Sequence, residues 1–372
     1  MTSPHLSPIA HHATDRDDIA RLLDRAHPEL LPRLTAMRRE LCAARDTDEL
    51  HAFALLLGGS VRAVAVFAAD EDRRLTALGA EFGHAVELAA MTTALAEQFG
   101  AAVRRLVRSR FPGWTVSAGP FADGADTRAF GRGLGMTARF ESVPVIRIDS
   151  ARPLRHHLSE NRDKTLRRMR NRVARECRSV QFVTTCDPDA LTPWLDPITA
   201  LKRDRAIAHG DNAVLQDGRL HLWRRRLLAH FQHGSARLDL LLLEGAVAAY
   251  NVSLVQGRAW RVWEGYAAQS WSRFSPGRLL ESHLLETALG LGNVDLVDWM
   301  TSVAPEAILA SNGTYATLTF SGRLRPSGSR SPAVAHEPRV PARRAGVGGD
   351  LVALDPTTEH ARGLPELLSL AR

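Results

Sequence analysis

A break in the chain at Ser275-Pro276-Gly277 opens the segment with the clearest chemistry. Arg278 follows, and apolar residues then recur at helical spacing to residue 291. The first N–H groups of a helix lack intrahelical acceptors, and the helix dipole adds partial positive charge there, so a helix start can bind an anion. The sequence therefore predicts an anion-binding site built from backbone N–H groups. Its candidate residues are Ser275, Gly277, Arg278 and Leu279.

A second candidate for anion binding is the arginine-rich segment 151–178. Ser159 can cap a helix here, and Leu166, Met169 and Val173 form a narrow apolar seam. Such a helix presents a positive face that can contact an anionic substrate or the phosphates of a cofactor. A solvated linker helix is the alternative interpretation. Basic residues cover most of the remaining surface, among them Lys164, Arg167 and Arg168.

Histidine and cysteine spacing does not predict a metal site. His230 and His233 could share one helix face, but no carboxylate or cysteine completes a ligand set. Walker, zinc-finger and G-x-S-x-G spacings are absent from the sequence. We therefore predict chemistry without a metal ion.

Length and composition are typical of a globular protein with two domains. The chain has 372 residues, of which 45% are hydrophobic, and its net charge of +7 favours anionic partners. Part of this charge reflects an arginine- and alanine-rich composition typical of a GC-rich genome. The three cysteines form no CxxC pair, and no signal-peptide or membrane-span pattern is present. These features predict a cytoplasmic location and no membrane partner.

The elements that would position the anion site lie in the second half of the chain. Apolar runs at 238–244, 247–255 and 259–265, separated by glycine-containing turns, predict an antiparallel meander. The helix at 278–291 follows, and then a strand at 294–300. The first half repeats the order more weakly. It has a hairpin at 53–57 and 61–68, a helix at 86–110, a strand at 114–118, a short helix at 127–134 and a strand at 139–148.

This order resembles the GNAT acyltransferase superfamily. The residues that carry the resemblance are the meander, the aromatic residues Trp263 and Tyr266, the S-P-G-x-L-L motif from Ser275, the long helix, and the strand that contains Asp298. The pattern is most similar to the CelD-like or FemAB-like branch, whose members often carry two GNAT folds in tandem. The resemblance implies an α/β (α+β) fold with two tandem GNAT-like domains, each a mixed, mostly antiparallel sheet flanked by helices.

The resemblance also implies domain boundaries. A degenerate N-terminal copy would span 15–150, and the C-terminal acyltransferase domain would span 151–320. Residues 1–14 would form a disordered lead. Residues 321–372, which are rich in proline, glycine and basic residues, would form a mostly disordered tail.

An activity and residue roles follow from the same resemblance. A GNAT-type enzyme moves an acyl group from acyl-CoA, most often acetyl-CoA, to an amine. Glu264 or Asp298 would then act as the general base, and Tyr266 would give a proton to the departing thiolate. Trp263 and the basic residues of 151–178 would contact the substrate, and the N–H groups at 275–279 would bind the CoA pyrophosphate.

Two other functions stay open. Ser275 and Pro276 replace the glycine-rich part of the usual GNAT pyrophosphate motif, and proline donates no N–H. With the basic helix, this departure suits an aminoacyl-tRNA donor, as FemAB-like proteins use. A non-catalytic GNAT-like binding module is the third hypothesis.

Strand alternation places Glu264 on one face with Trp260 and Val262, where it could be an edge carboxylate facing solvent.

Overall fold

A computed structural model describes residues 7–44, 49–80, 88–210, 219–300 and 308–324. Its first half contains four helices and seven strands. In chain order these are β1 (Ile9–Ala13), α1 (Arg16–Asp24), α2 (Leu31–Ala43), β2 (Glu49–Leu57), β3 (Ser60–Ala69), β4 (Arg74–Ala77), β5 (Ala89–Ala90), α3 (Thr93–Arg110), β6 (Thr115–Ala122), α4 (Ala125–Leu134) and β7 (Ala138–Arg147).

The second half has the same kind of element order in the described ranges. It consists of α5 (Glu160–Glu176), β8 (Val180–Thr185), α6 (Pro188–Leu191), α7 (Leu195–His209), α8 (Arg219–Gln232), β9 (Ala236–Leu243), β10 (Ala246–Gln256), β11 (Ala259–Ala267), α9 (Pro276–Leu291), β12 (Leu296–Asp298) and β13 (Gly313–Arg323). The described part of the chain contains no helix long and apolar enough to cross a membrane.

The strands form one continuous sheet rather than two separate ones. Their order is β1-β2-β3-β4-β6-β13-β7-β12-β11-β10-β9-β8, and β5 pairs with β3. The last strand, β13, is antiparallel to both β6 and β7, so a strand from the end of the chain lies inside the first half of the sheet. The β7 strand in turn pairs with β12 of the second half. Each half of the sheet is therefore completed by a strand from the other half, and the proposed domain boundary near residue 150 stays a prediction.

Helices cover both faces of the sheet, which explains the apolar runs. Leu241 and Leu243 of β9 pack with α5 and α9 on one face, and Leu238 and Leu240 pack with α7 and α8 on the other. In the first half, α3 and α4 cover one face, and α1 and α2 cover the other. A strand buried on both faces has no polar alternation, so it appears in the sequence as an unbroken apolar segment.

Some predicted elements were wrong in extent. Ile9–Ala13, which we expected in a disordered lead, forms β1 and pairs with β2. The predicted helix at 86–110 begins only at Thr93, because Ala89 and Ala90 pair with β3. The predicted strand at 294–300 is paired only over Leu296–Asp298. Residues 321–323 of the predicted tail belong to β13, and the tail from 325 lies outside the described residues.

Candidate active site

The candidate site lies where β11 and β12 diverge. The two strands are parallel, but they pair only at Ala259–Arg261 with Leu296–Asp298. Past Arg261, β11 continues to Ala267 with no strand partner on that side among the described residues, while its other side stays paired with β10. Backbone N–H groups on the open side can stabilise a developing oxyanion.

A β-bulge at Trp263 turns Glu264 towards the helices α7 and α8. On β10, Val252 pairs with Glu264 and its neighbour Ser253 pairs with Val262, so Trp263 is the extra residue. A bulge shifts the alternation of the strand. The expectation that Glu264 shares a face with Trp260 and Val262 was therefore wrong: both of those pack on the α9 side, whereas Glu264 contacts α7.

Glu264 is a largely buried carboxylate that accepts two side-chain hydrogen bonds. Its Oε2 lies 2.5 Å from the Nζ of Lys202 on α7, and its Oε1 accepts a 2.8 Å hydrogen bond from the hydroxyl of Tyr250 on β10. The side chains of Glu264 and Lys202 are each 11% exposed. The alternative of an edge carboxylate facing solvent was wrong. Two fixed partners hold the carboxylate in one orientation beside the diverging strands.

Tyr266 forms an aromatic wall next to this carboxylate. Its ring lies edge-on to Tyr250, with 5.7 Å between ring centroids, and the cations of Lys202 and Arg205 each lie 5.2 Å from its centroid. Burial raises the pKa of the Tyr266 hydroxyl, and the Glu264 carboxylate adds to this, while Lys202 and Arg205 act in the opposite direction. Tyr266 therefore keeps its proton at neutral pH.

Asp298 lies apart from this cluster, and its oxygens are bonded to the protein itself. Oδ1 accepts from the backbone N–H of Met300 and Oδ2 from the hydroxyl of Tyr315, both at 2.8 Å, and Arg261 lies 3.6 Å from Oδ2. Met300 has a positive φ of 63°, which the Asp298 bond helps to hold. Burial raises the pKa of Asp298, against the effect of Arg261. This geometry favours a structural role, so of the two proposed bases Glu264 has the better position.

The helix start at Ser275 is formed, but two of the four residues predicted to offer free N–H groups, Ser275 and Leu279, already have acceptors. Ser275 adopts a left-handed conformation with φ 51°, and its N–H donates to Ser272. The N–H of Leu279 donates to the Ser275 carbonyl at 3.3 Å, so it already has an acceptor, contrary to expectation. Gly277 lies in the first turn, where a Cβ would make one ordinary contact among the described residues, with the Ala267 Cβ at 3.7 Å. The described neighbours therefore leave room for a side chain at Gly277.

Most of the side chains predicted to contact the substrate already have partners within the protein. On α5, Lys164 pairs with Glu160 and Arg167 with Asp163, each at 2.5 Å one helical turn apart. Arg168 is exposed and has no carboxylate partner among the described residues. Trp263 is buried in the core between the sheet and α8, edge-on to the ring of His230. We therefore no longer expect Trp263 to touch a substrate directly, and the positive charge of α5 is partly neutralised.

Sequence reasoning missed Lys202, Arg205 and Tyr250, although a signal was present. Lysine is almost absent from this arginine-rich chain: Lys164 and Lys202 are its two lysines. Its three tyrosines all lie near the candidate carboxylates, because Tyr250 and Tyr266 contact the Glu264 cluster and Tyr315 bonds Asp298. Scarcity therefore singles out Lys202, although it singles out the exposed Lys164 equally.

Glu281 on α9 is a further carboxylate, partly buried, that the sequence did not reveal. Its Oε2 accepts from the backbone N–H of Leu309 at 2.8 Å, and Arg162 of α5 donates to the Leu309 carbonyl at 2.7 Å. Burial raises the pKa of Glu281 to about 7, although this hydrogen bond, Arg278 and Arg162 lower it. Glu281 and Arg162 thus fix one backbone segment beside α9.

We expect the stability of the protein to carry a pH dependence from Glu281. Because the pKa of Glu281 is raised in the folded state, the folded protein binds more protons between pH 4.5 and 7, so its contribution is lost as pH rises through that window. Glu281→Gln should remove this fall in the free energy of unfolding. As the pH rises from 5 to 8, the variant should therefore gain up to about 3 kcal/mol of stability relative to wild type. Urea unfolding at both pH values measures this. Glu286→Gln, which is exposed on the same helix, is the control, and an equal pH dependence in all three proteins would contradict the prediction.

Part of the chain matches a known protein family, and solved structures share its fold. A family described as an acetyltransferase (GNAT) domain matches residues 160–306. Among solved structures, a tandem GNAT protein from the clavulanic acid biosynthesis pathway superposes with a TM-score of 0.52 at 16% identity, covering 86% of this chain and 100% of that one. The C-terminal domain of a putative lysylphosphatidylglycerol synthetase from Agrobacterium fabrum gives 0.51 at 11% identity, with 81% and 92% coverage. No curated protein matches the chain.

The fold is therefore that of the GNAT superfamily in a tandem arrangement, which confirms the resemblance and the predicted α/β (α+β) class. Residues 160–306 are the part of the chain that matches the acetyltransferase (GNAT) domain family. At these identities the solved structures support the fold alone, and the donor, the acceptor and the site residues are matters for the proposals below.

Proposed function

We propose that the protein is an N-acyltransferase that moves an acyl group, most often acetyl, from acyl-CoA to an amine. The observation that carries the proposal is the position of Glu264. This buried carboxylate is held by Lys202 and Tyr250 at the point where β11 leaves β12, inside the segment that matches a GNAT acetyltransferase domain. A preoriented carboxylate beside unpaired backbone N–H groups supplies a base and an oxyanion site together.

The proposed reaction is a direct transfer. The acceptor nitrogen attacks the thioester carbonyl carbon, a C–N bond forms, and the C–S bond breaks. Glu264 takes the proton that the nitrogen loses, and Tyr266 gives its hydroxyl proton to the departing thiolate. Backbone N–H groups of β11 past Arg261 stabilise the oxyanion of the tetrahedral intermediate. Lys202 and Tyr250 orient Glu264 throughout.

The proposed place for the CoA pyrophosphate is the first turn of α9. Ser275, Gly277 and Arg278 lie there, and the dipole of a 16-residue helix favours an anion at its N-terminus. A Cβ at Gly277 would make one ordinary contact among the described residues, so packing alone does not account for glycine at this position.

Thermal unfolding tests the donor. Acetyl-CoA and CoA should each raise the midpoint, because a ligand that binds only the folded state stabilises it by about 2.7 kcal/mol at a hundredfold excess over Kd. Gly277→Asp should abolish this shift, since it puts a negative charge where the pyrophosphate would bind. Gly290→Asp, on the same helix with nothing near its Cβ position, is the matched control and should keep the shift.

Three outcomes decide the matter. A CoA-dependent shift that Gly277→Asp removes, together with CoA release from acetyl-CoA on addition of an amine, supports the proposal. A shift with aminoacyl-tRNA alone would replace the acyl-CoA donor by a tRNA-borne one. If neither CoA species shifts the midpoint and no amine releases thiol, the proposed function is wrong.

A further inference from the structure

The helix α7 brings two cations to the candidate site. Ile198, Lys202 and Ala206 are buried and recur one turn apart, so they form the face of α7 that packs on the sheet. Arg205 lies three residues after Lys202 on the same side, but it is exposed, and its guanidinium is over the ring of Tyr266. The helix therefore places one buried and one exposed cation around a single aromatic ring.

The two cations differ in what neutralises them. Lys202 is paired with Glu264 at 2.5 Å. Arg205 has no carboxylate partner within the described ranges, and its contact there is the Tyr266 ring. Its charge reaches the hydroxyls of both Tyr250 and Tyr266, since it lowers the pKa of each against the larger effect of burial. The site thus has one carboxylate, one matched cation and one cation left over for a ligand.

We propose that the acceptor is an amine that also carries a carboxylate, an amino acid or a peptide-like compound, with its amine at Glu264 and its carboxylate on Arg205. This inference rests on the proposed function. Arginine is suited to the role, because its planar guanidinium can bind a carboxylate through two parallel hydrogen bonds. The opposite charges of such an acceptor match the Glu264 carboxylate and the Arg205 guanidinium, which lies over the Tyr266 ring. Arg205 is therefore assigned as the residue that determines acceptor specificity.

Matched acceptor pairs test the proposal. CoA release from acetyl-CoA would be measured with a panel of amino acids, each compared with its own carboxamide, which keeps the amine and removes the negative charge. We expect wild type to prefer the acid by at least tenfold in kcat/KM for the best pair. Arg205→Gln should reduce that preference at least tenfold, and Arg205→Lys should restore part of it. Arg203→Gln, an exposed arginine two residues earlier, should leave the ratio unchanged.

A binding measurement separates this proposal from the proposed function. In the presence of CoA and without turnover, the amino acids should raise the unfolding midpoint of wild type more than their carboxamides do, and this difference should disappear in Arg205→Gln. Equal rates or equal shifts for acids and amides would overturn the role of Arg205 while acyl transfer stands. A preference for O-phosphoethanolamine over every amino acid would show that the acceptor carries a phosphate rather than a carboxylate, and would overturn the proposal. If no compound of the panel reacts or binds, the carboxylate-bearing acceptor is wrong, and the response to acetyl-CoA alone decides the proposed function.

Discussion

Glu264→Gln is expected to lower kcat/KM for acyl transfer by about 10²- to 10⁴-fold, the range that a positioned general base contributes. The variant keeps the size of the side chain, and its amide oxygen can still accept the hydrogen bond from Tyr250, which is 2.8 Å long in the native protein. It loses only the ability to take a proton from the acceptor amine. CoA release from acetyl-CoA with the best acceptor of the panel measures the change.

Stability has to be separated from catalysis in this variant. Removing the charge of Glu264 leaves the ammonium of Lys202, which is buried, without its 2.5 Å partner. Breaking a buried ion pair from one side costs about 3–5 kcal/mol. The double variant Lys202→Met/Glu264→Gln removes both charges, so it should regain much of that stability and still lack the base.

The two variants together give a clear decision. Glu71→Gln, the same chemical change at an exposed position, should behave as wild type in both stability and rate. A folded Glu264→Gln protein with kcat/KM within about threefold of wild type would show that Glu264 is not the base. Slow turnover in both the single and the double variant, whatever their stabilities, would support the role.

The elements around the site could be predicted because their signals are local. Continuous apolar runs divided by glycine turns define β9, β10 and β11, and their observed bounds differ from the predicted ones by two residues at most. The position of Glu264 on β11 followed from the same pattern. Its face did not, because the bulge at Trp263 arises from the pairing of β11 with β10, which no local pattern in β11 records.

The partners of Glu264 could not be predicted from the sequence, for a different reason. Lys202 lies 62 residues earlier in the chain, in a helix whose own sequence gives only an amphipathic pattern. The contact exists because α7 packs across β10 and β11, and that is a property of the tertiary fold. The scarcity of lysine would have singled out Lys202, but it would not have named the carboxylate it meets.

The position of the last strand, β13, in the sheet also could not be predicted from local sequence. Alternation in the residues of β13 predicts a strand, and the structure has one there. Its insertion between β6 and β7 depends on which sheet edges are left open by distant parts of the chain. Strand β1 was missed because it is a short edge strand with two histidines, a composition that does not distinguish it from an exposed lead.

Glu40→Gln is expected to lower the free energy of unfolding by about 3–5 kcal/mol, the cost of breaking a buried ion pair from one side. Glu40 of α2 lies 3.2 Å from the Nε2 of His230 and 3.4 Å from a guanidinium nitrogen of Arg226, both on α8. The three side chains are 5% exposed or less. The change removes the carboxylate charge of Glu40 from beside the buried guanidinium of Arg226. Urea unfolding followed by tryptophan fluorescence measures it.

The cluster of Glu40, Arg226 and His230 lies between the two halves of the chain, so the loss of stability also tests what holds the halves together. Since α2 belongs to the first half of the chain and α8 to the second, Glu40 joins the two halves on the side of the sheet that carries Glu264. Glu29→Gln, on the exposed surface just before α2, should be neutral. Glu40→Leu/Arg226→Met should recover much of the loss, because apolar groups replace both charges. A Glu40→Gln protein within about 0.5 kcal/mol of wild type would show that the pair does not hold the halves together, and the shared strands β7 and β13 would then have to do so alone.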